Sequence, residues 1–263
     1  RYVGFPTEEM WINTDYDLAY KKYQERFSDA SNFNFYFVGN LDEQLLKKYA
    51  AKYLGSLPST NSNEQYKDNG YRPLYGAIEK HVKKGSEPKS LVKIQFRGQA
   101  EYNEDEAYYL KSLGELLSIK LIEKLREEEG GVYGVGAKGG MSRNPYGSYS
   151  FSISFPCGPE KLEMLQVKAL EELQKIIDFG PEQKDISKVK ETQLLEHKEL
   201  QKKNRYWLNK IKNADFSQKE IVIASDEVEE IQQLSAKKIQ DIAKKYAVKN
   251  KFIATLNPET TEK

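Results

Sequence analysis

The sequence predicts an α+β fold, a sheet with helices packed on it. Strand-like segments separated by long amphipathic helices carry that expectation, together with one pair of strands lying adjacent in the middle of the chain. The polar stretch 56–74, Ser-Leu-Pro-Ser-Thr-Asn-Ser-Asn and then Gly70 and Pro73, reads as a linker that divides the chain in two.

Ahead of the linker the pattern is helix, strand, helix. Residues 15–27 carry Leu18, Ala19, Tyr23 and Phe27 at helical spacing, with Thr14 as the expected N-cap. Residues 32–38 alternate around Phe33, Phe35 and Phe37, which suits a strand. Residues 42–54 form an amphipathic helix for which Gly55 is the expected left-handed C-cap.

Beyond the linker, strands are expected at 77–83 and 91–96. A long helix follows, capped by Asn103 with Glu106 three residues on, close to a capping box. Its stripe of Leu110, Leu113, Leu117, Leu121 and Leu125 ends at Gly130-Gly131. Strands at 133–138 and 148–155 enclose a turn at Asn144-Pro145, and 147–155 is expected to offer an edge to an extended peptide. A helix opens at Pro159 and reaches Phe179, and another helical region runs from the Gly180-Pro181 break to about 212. Shorter helices lead to 235–247, and 252–256 is the last strand.

Composition excludes several functions. The 263 residues hold 41 basic and 40 acidic side chains, a formal +1, which gives no field for drawing in nucleic acid or an anionic membrane. No apolar run approaches the length of a membrane span. The single cysteine, Cys157, rules out an intrachain disulfide and a multi-cysteine metal site, and with no histidine near it in sequence it reads as a packed residue. The chain starts at Arg1 rather than Met and is expected to be part of a longer polypeptide.

Metal chemistry is not expected within this chain. A metallopeptidase needs two histidines on one helical face with a glutamate nearby, and the two histidines here, His81 and His197, are far apart in sequence. Residues 134–139 spell G-x-G-x-x-G, but a dinucleotide site needs a strand before the glycines and a helix opening within them, and the order here is reversed. The segment Leu125-Arg126-Glu127-Glu128-Glu129-Gly130-Gly131-Val132-Tyr133-Gly134 is more informative. Arg126 falls in the last turn of the long helix and Tyr133 stands past a Gly-Gly reversal, while glycines at 130, 131, 134 and 136 leave room for another backbone. A guanidinium that donates to carbonyls and a phenol that donates to an oxyanion suit peptide chemistry. Helix capping and packing remain the structural reading of the same residues.

That segment resembles the arginine/tyrosine motif in the C-terminal half of pitrilysin/insulinase-type zinc peptidases. Phe37-Val38-Gly39-Asn40-Leu41-Asp42 with Lys52-Tyr53-Leu54-Gly55-Ser56-Leu57-Pro58 is similar to that family's strand-helix segment closing the preceding domain. Asn204-Arg205-Tyr206-Trp207-Leu208 is similar to a helix of its bacterial PqqL-like members. The resemblance implies a metallohydrolase domain like those of LuxS and the mitochondrial processing peptidases. Residues 1–60 would be the C-terminal segment of a preceding, similar domain, 61–74 the linker and 75–263 the complete fourth domain. It implies a zinc metalloendopeptidase in which zinc is bound by a missing N-terminal half, with no metal in this chain. Arg126 would hold the substrate backbone and Tyr133 the oxyanion, with Gly134 beside them in the substrate-binding set. The implied partners are the zinc-bearing half and a peptide or unfolded polypeptide, with no nucleic acid and no membrane. A periplasmic location follows from the PqqL-like flavour, with the cytoplasm as alternative. The same fold in zinc-less partner subunits leaves a scaffold as the alternative function.

Overall fold

The computed structural model describes residues 6–62, 67–221 and 224–259. In chain order the elements are α1 (Glu8–Ile12), α2 (Tyr16–Phe27), α3 (Glu43–Tyr49), β1 (Ile78–Lys83), β2 (Ser90–Gln99), α4 (Glu104–Leu121), β3 (Gly136–Ser142), β4 (Ser148–Cys157), α5 (Leu162–Phe179), α6 (Gln183–Leu200), α7 (Asn204–Ser217), α8 (Ala224–Gln232), α9 (Ala236–Tyr246) and β5 (Lys251–Asn257). The α+β expectation is borne out. The chain forms two compact units, one of 1–65 with 201–221 and the other of 66–200 with 222–263. Their boundary at 65/66 falls inside the expected linker, of which 63–66 lie outside the described residues. The sequence pattern did not anticipate that 201–221, including α7, groups with the N-terminal segment.

The larger unit is built on a five-stranded sheet in the order β1-β5-β2-β4-β3, with β1 parallel to β5 and the other neighbours antiparallel. Alternation decides which face is covered. Val92, Ile94 and Phe96 of β2 pair across the ladder with Phe155, Ile153 and Phe151 of β4, and all six are buried. The alternate residues of β4, Ser148, Ser150, Ser152 and Ser154, lie on the other face with Lys93, Gln95 and Arg97 of β2. Helices α4, α5 and α9 cover the apolar face, contributing Leu110, Leu113, Leu117, Leu165, Leu173, Ile239 and Ile242 to one core.

Several local expectations are corrected. β4 is paired on both sides, so 147–155 has no free edge for a peptide, and a proline at Ser150 would break a central ladder. The true edges are β1 and β3. β3 begins at Gly136, later than expected, because the loop after Gly130-Gly131 remains irregular through Val135. The long helix does not stay α-helical to its end: residues 122–128 widen into a π-helix. Asn103 caps α4 as expected, its Oδ1 accepting from Glu106 N–H at 3.0 Å. Glu106 does not close a capping box, because its carboxylate accepts instead from Lys245 Nζ at 2.5 Å and from the Tyr246 hydroxyl. These hydrogen bonds hold the Glu106 carboxyl below its ordinary pKa even though burial opposes them.

The free edge of β3 is partly closed by the helix beside it. Ser118 Oγ of α4 accepts from Ala137 N–H at 2.8 Å and donates to Gly114 O, one turn back, at 2.7 Å, with Ala137 O 3.1 Å away. Ala137 is buried, so this hydroxyl replaces the strand partner that its N–H lacks. Ser118→Ala is therefore expected to cost about 1–3 kcal/mol, the usual cost of an orphaned buried donor. Urea unfolding of the variant checks this, and an unchanged midpoint would contradict the contact.

The smaller unit is different in kind. None of its described residues is fully buried. Along α2 the rings of Tyr16, Tyr20, Tyr23 and Phe27 stack in sequence with centroids 6.3, 6.5 and 4.8 Å apart, and all four are more than half exposed. Asp15 rather than Thr14 caps this helix, because its carboxylate accepts from Leu18 N–H at 2.9 Å. Gly55 has φ −68°, so it is not a left-handed cap; the helix before it ends in a π-turn at 50–54 instead. Residues 33–38 pair with no strand, since a strand exists only with a partner and this unit contains none among its described residues. Asn34 Nδ2 donates to Asp215 Oδ2 of α7 at 3.0 Å, and the Tyr36 hydroxyl binds the same oxygen.

Candidate functional site

The expected site lies where the π-helix gives way to β3. Leu125 anchors the helical side in the core at 0 % exposure, and Val132 does the same for the loop at 8 %. Between them the chain reverses at Gly130, whose φ of +56° is a conformation that L side chains rarely adopt. Glu129 N–H reaches Lys124 O and Gly131 N–H reaches Leu125 O, satisfying carbonyls of the closing helix.

Arg126 is exposed on the last π-turn, and Tyr133 is 94 % exposed on the far side of the reversal. Neither side chain has a hydrogen-bond or ion-pair partner among the described residues. A tyrosine this open, next to a core-anchored valine, has no packing role within the chain. A Cβ at Gly134 would meet nothing within 4 Å, so this glycine is not required by the chain's own packing and leaves open space beside Tyr133.

Two glutamates of this turn are held by lysines. Lys124 Nζ binds Glu128 Oε2 at 2.5 Å, and Lys168 Nζ binds Glu129 Oε1. That hydrogen bond, against a small desolvation, holds the Glu129 carboxyl below its ordinary pKa. Lys161 Nζ lies 3.2 Å from Glu129 O and 3.4 Å from Gly130 O. Lys161 and Lys168 were not legible in the sequence, because their partners lie 31 to 39 residues earlier and only the fold brings them together.

The residues present do not fit a zinc site. Among the described residues no group of three His, Cys, Asp or Glu side chains could hold a metal ion. His81 is on β1 with Nδ1 2.7 Å from Thr255 Oγ1, and His197 is buried on α6 with Nδ1 3.1 Å from Glu227 Oε2. Cys157 is buried in β4 with its thiol pKa pushed up by burial, which makes it a packed residue and a poor nucleophile. No helix among the described residues is long and apolar enough to cross a membrane.

Comparison with known proteins bears on the family. A zinc protease PQQL-like protein of Arabidopsis thaliana is 29% identical over 199 residues, 70% of this chain and 21% of its own length. The periplasmic protease PqqL of Escherichia coli superposes with a TM-score of 0.68 at 19% identity, covering 84% of this chain and 25% of that one. A ferredoxin protease FusC mutant, solved with Arabidopsis ferredoxin, gives a TM-score of 0.75 at 15% identity over 97% of this chain and 28% of that one. The chain thus spans about a fifth to a quarter of the length of these proteins. The sequence profile described as "Peptidase M16 inactive domain" matches residues 18–193. That match covers most of the chain, and the chain belongs to the peptidase M16 inactive-domain family.

Proposed function

We propose that this chain is the substrate-binding, zinc-free part of a zinc metalloendopeptidase that hydrolyses peptides or unfolded polypeptides in a closed chamber. The observation that carries the reading is Tyr133: a phenol 94 % exposed, held just past a core-anchored reversal, seven residues beyond an Arg126 that likewise has no polar partner among the described residues. In this reading Arg126 donates to backbone carbonyls of an extended peptide. The Tyr133 hydroxyl donates to the scissile carbonyl oxygen, most strongly as that oxygen becomes an anion. Open space at Gly134 lets the peptide backbone approach. Zinc would be held by an N-terminal half outside this chain.

The smaller unit supports the same reading. Residues 1–60 would close a preceding domain whose core lies elsewhere, which accounts for an aromatic row with nothing over it. The unpaired segment at 33–38 would then gain a strand partner from that domain. Residues from 75 onward would form the fourth domain, with 201–221 associating with the preceding one. A periplasmic location is part of the proposal, by analogy with the periplasmic PqqL protease of Escherichia coli.

The test is cleavage of a quenched fluorescent peptide by this chain alone and mixed with the zinc-bearing half. Activity only in the mixture is expected. Activity in the chain alone would overturn the division of labour. No activity from a zinc-loaded mixture that demonstrably associates would favour a scaffold.

A further inference from the structure

Helix α5 and the turn before it present a single stripe to the loop that ends in Tyr133. Lys161, Leu165 and Lys168 are spaced by four and three residues, so they share one helical face. Each meets the loop at a different point. Lys161 Nζ donates to Glu129 O and Gly130 O, at 3.2 and 3.4 Å. A Cβ on Gly131 would lie 2.8 Å from both terminal carbons of Leu165, so the main chain there rests against that side chain. Lys168 Nζ holds the Glu129 carboxylate.

The three contacts fall on consecutive residues, 129 to 131, immediately ahead of the Val132 anchor. The carbonyls that Lys161 binds are at the end of a helix, where acceptors lack partners in the chain and a cation is favoured. An ammonium reaching two successive carbonyls also restrains the rotation of the peptide plane between them. That restraint sets the direction in which the chain leaves the Gly130 reversal, and so where the Tyr133 phenol points.

We propose that Lys161 is a positioning residue for Tyr133, fixing the Glu129–Gly130 carbonyls so that the phenol is delivered in one direction. This rests on the proposed role of Tyr133 in peptide hydrolysis. Lys161 itself touches no substrate. Lys168 acts on the same loop through the Glu129 side chain rather than the backbone.

The experiment is a double-mutant cycle in the peptidase assembled with its zinc-bearing half, using Lys161→Met, Lys161→Arg and Tyr133→Phe. Lys161→Met should lower kcat about tenfold, short of the roughly hundredfold that a misplacement of about 1 Å can cost. KM should change little, and Lys161→Arg, which can still donate to both carbonyls, should restore most of the rate. On the Tyr133→Phe background, Lys161→Met should have almost no further effect. In this chain by itself, Lys161→Met should speed amide hydrogen exchange at 131–133 without lowering the thermal midpoint.

A large loss from Tyr133→Phe together with no loss from Lys161→Met would overturn the positioning role alone. So would losses that multiply independently, or a Lys161→Met variant that merely melts earlier and is not rescued by arginine. No loss from Tyr133→Phe would overturn the functional reading and the positioning role with it.

Discussion

Tyr133→Phe is expected to lower kcat of the assembled peptidase by about a hundredfold or more, the usual cost of removing one oxyanion donor. KM and the thermal midpoint should hardly change. The side chain is 94 % exposed and has no hydrogen-bond partner among the described residues, so phenylalanine disturbs nothing that holds the described fold together. The missing hydroxyl matters only where charge builds up on the substrate oxygen, which is why the loss should appear in kcat and not in binding. Steady-state cleavage of a fluorescent peptide by both forms measures it. A variant with wild-type kcat would remove Tyr133 from the chemistry and leave the loop as an ornament of the fold.

Gly139→Ala is expected to destabilise the larger unit by about 3 kcal/mol, in the upper part of the range for overpacking a core. A Cβ at Gly139 would lie 2.1 Å from Leu110 O, and that oxygen belongs to the backbone of α4, which cannot rotate away. The approach is tight from both sides: a Cβ at Gly114 of the same helix would come within 3.0 Å of Gly139 N. The neighbouring Gly140 supplies the control, because a Cβ there meets nothing within 4 Å. Gly140→Ala should therefore be neutral to slightly stabilising, within about 1 kcal/mol. Thermal melts of the pair should differ by about 6–12 °C for a unit of this size. Equal midpoints would mean that α4 does not lie against β3 as described.

What the sequence disclosed follows the range of the interactions involved. The run Ser148 to Phe155 alternates polar and apolar, and Leu110 to Leu125 repeats at three and four, because each pattern records which side of one element faces the core. The strand follows its pattern, and the helix does so until it widens into a π-helix at residue 122. Residues 33–38 have the same kind of alternation but form no strand, since pairing depends on a neighbour that periodicity does not reveal. Thr14 lost the capping position to Asp15 by one residue, which is the precision at which helix starts are written. At the candidate site, Arg126, Tyr133 and Gly134 were legible because they stand in one contiguous motif. Lys161 and Lys168 were not, because their relation to Glu129 exists only after α5 has packed beside the loop.

The two pieces of the smaller unit are separated in the chain by residues 66–200 of the larger one. Asn34 and Tyr36 find Asp215 across 181 and 179 residues. A ribosome extends a chain at about 5–20 residues per second, so the N-terminal segment waits roughly ten seconds or more for α7 to be made. During that interval Asn34 and Tyr36 lack the carboxylate that they share in the finished unit. Vectorial synthesis therefore leaves this segment with its local contacts alone until the helix that carries Asp215 has been made.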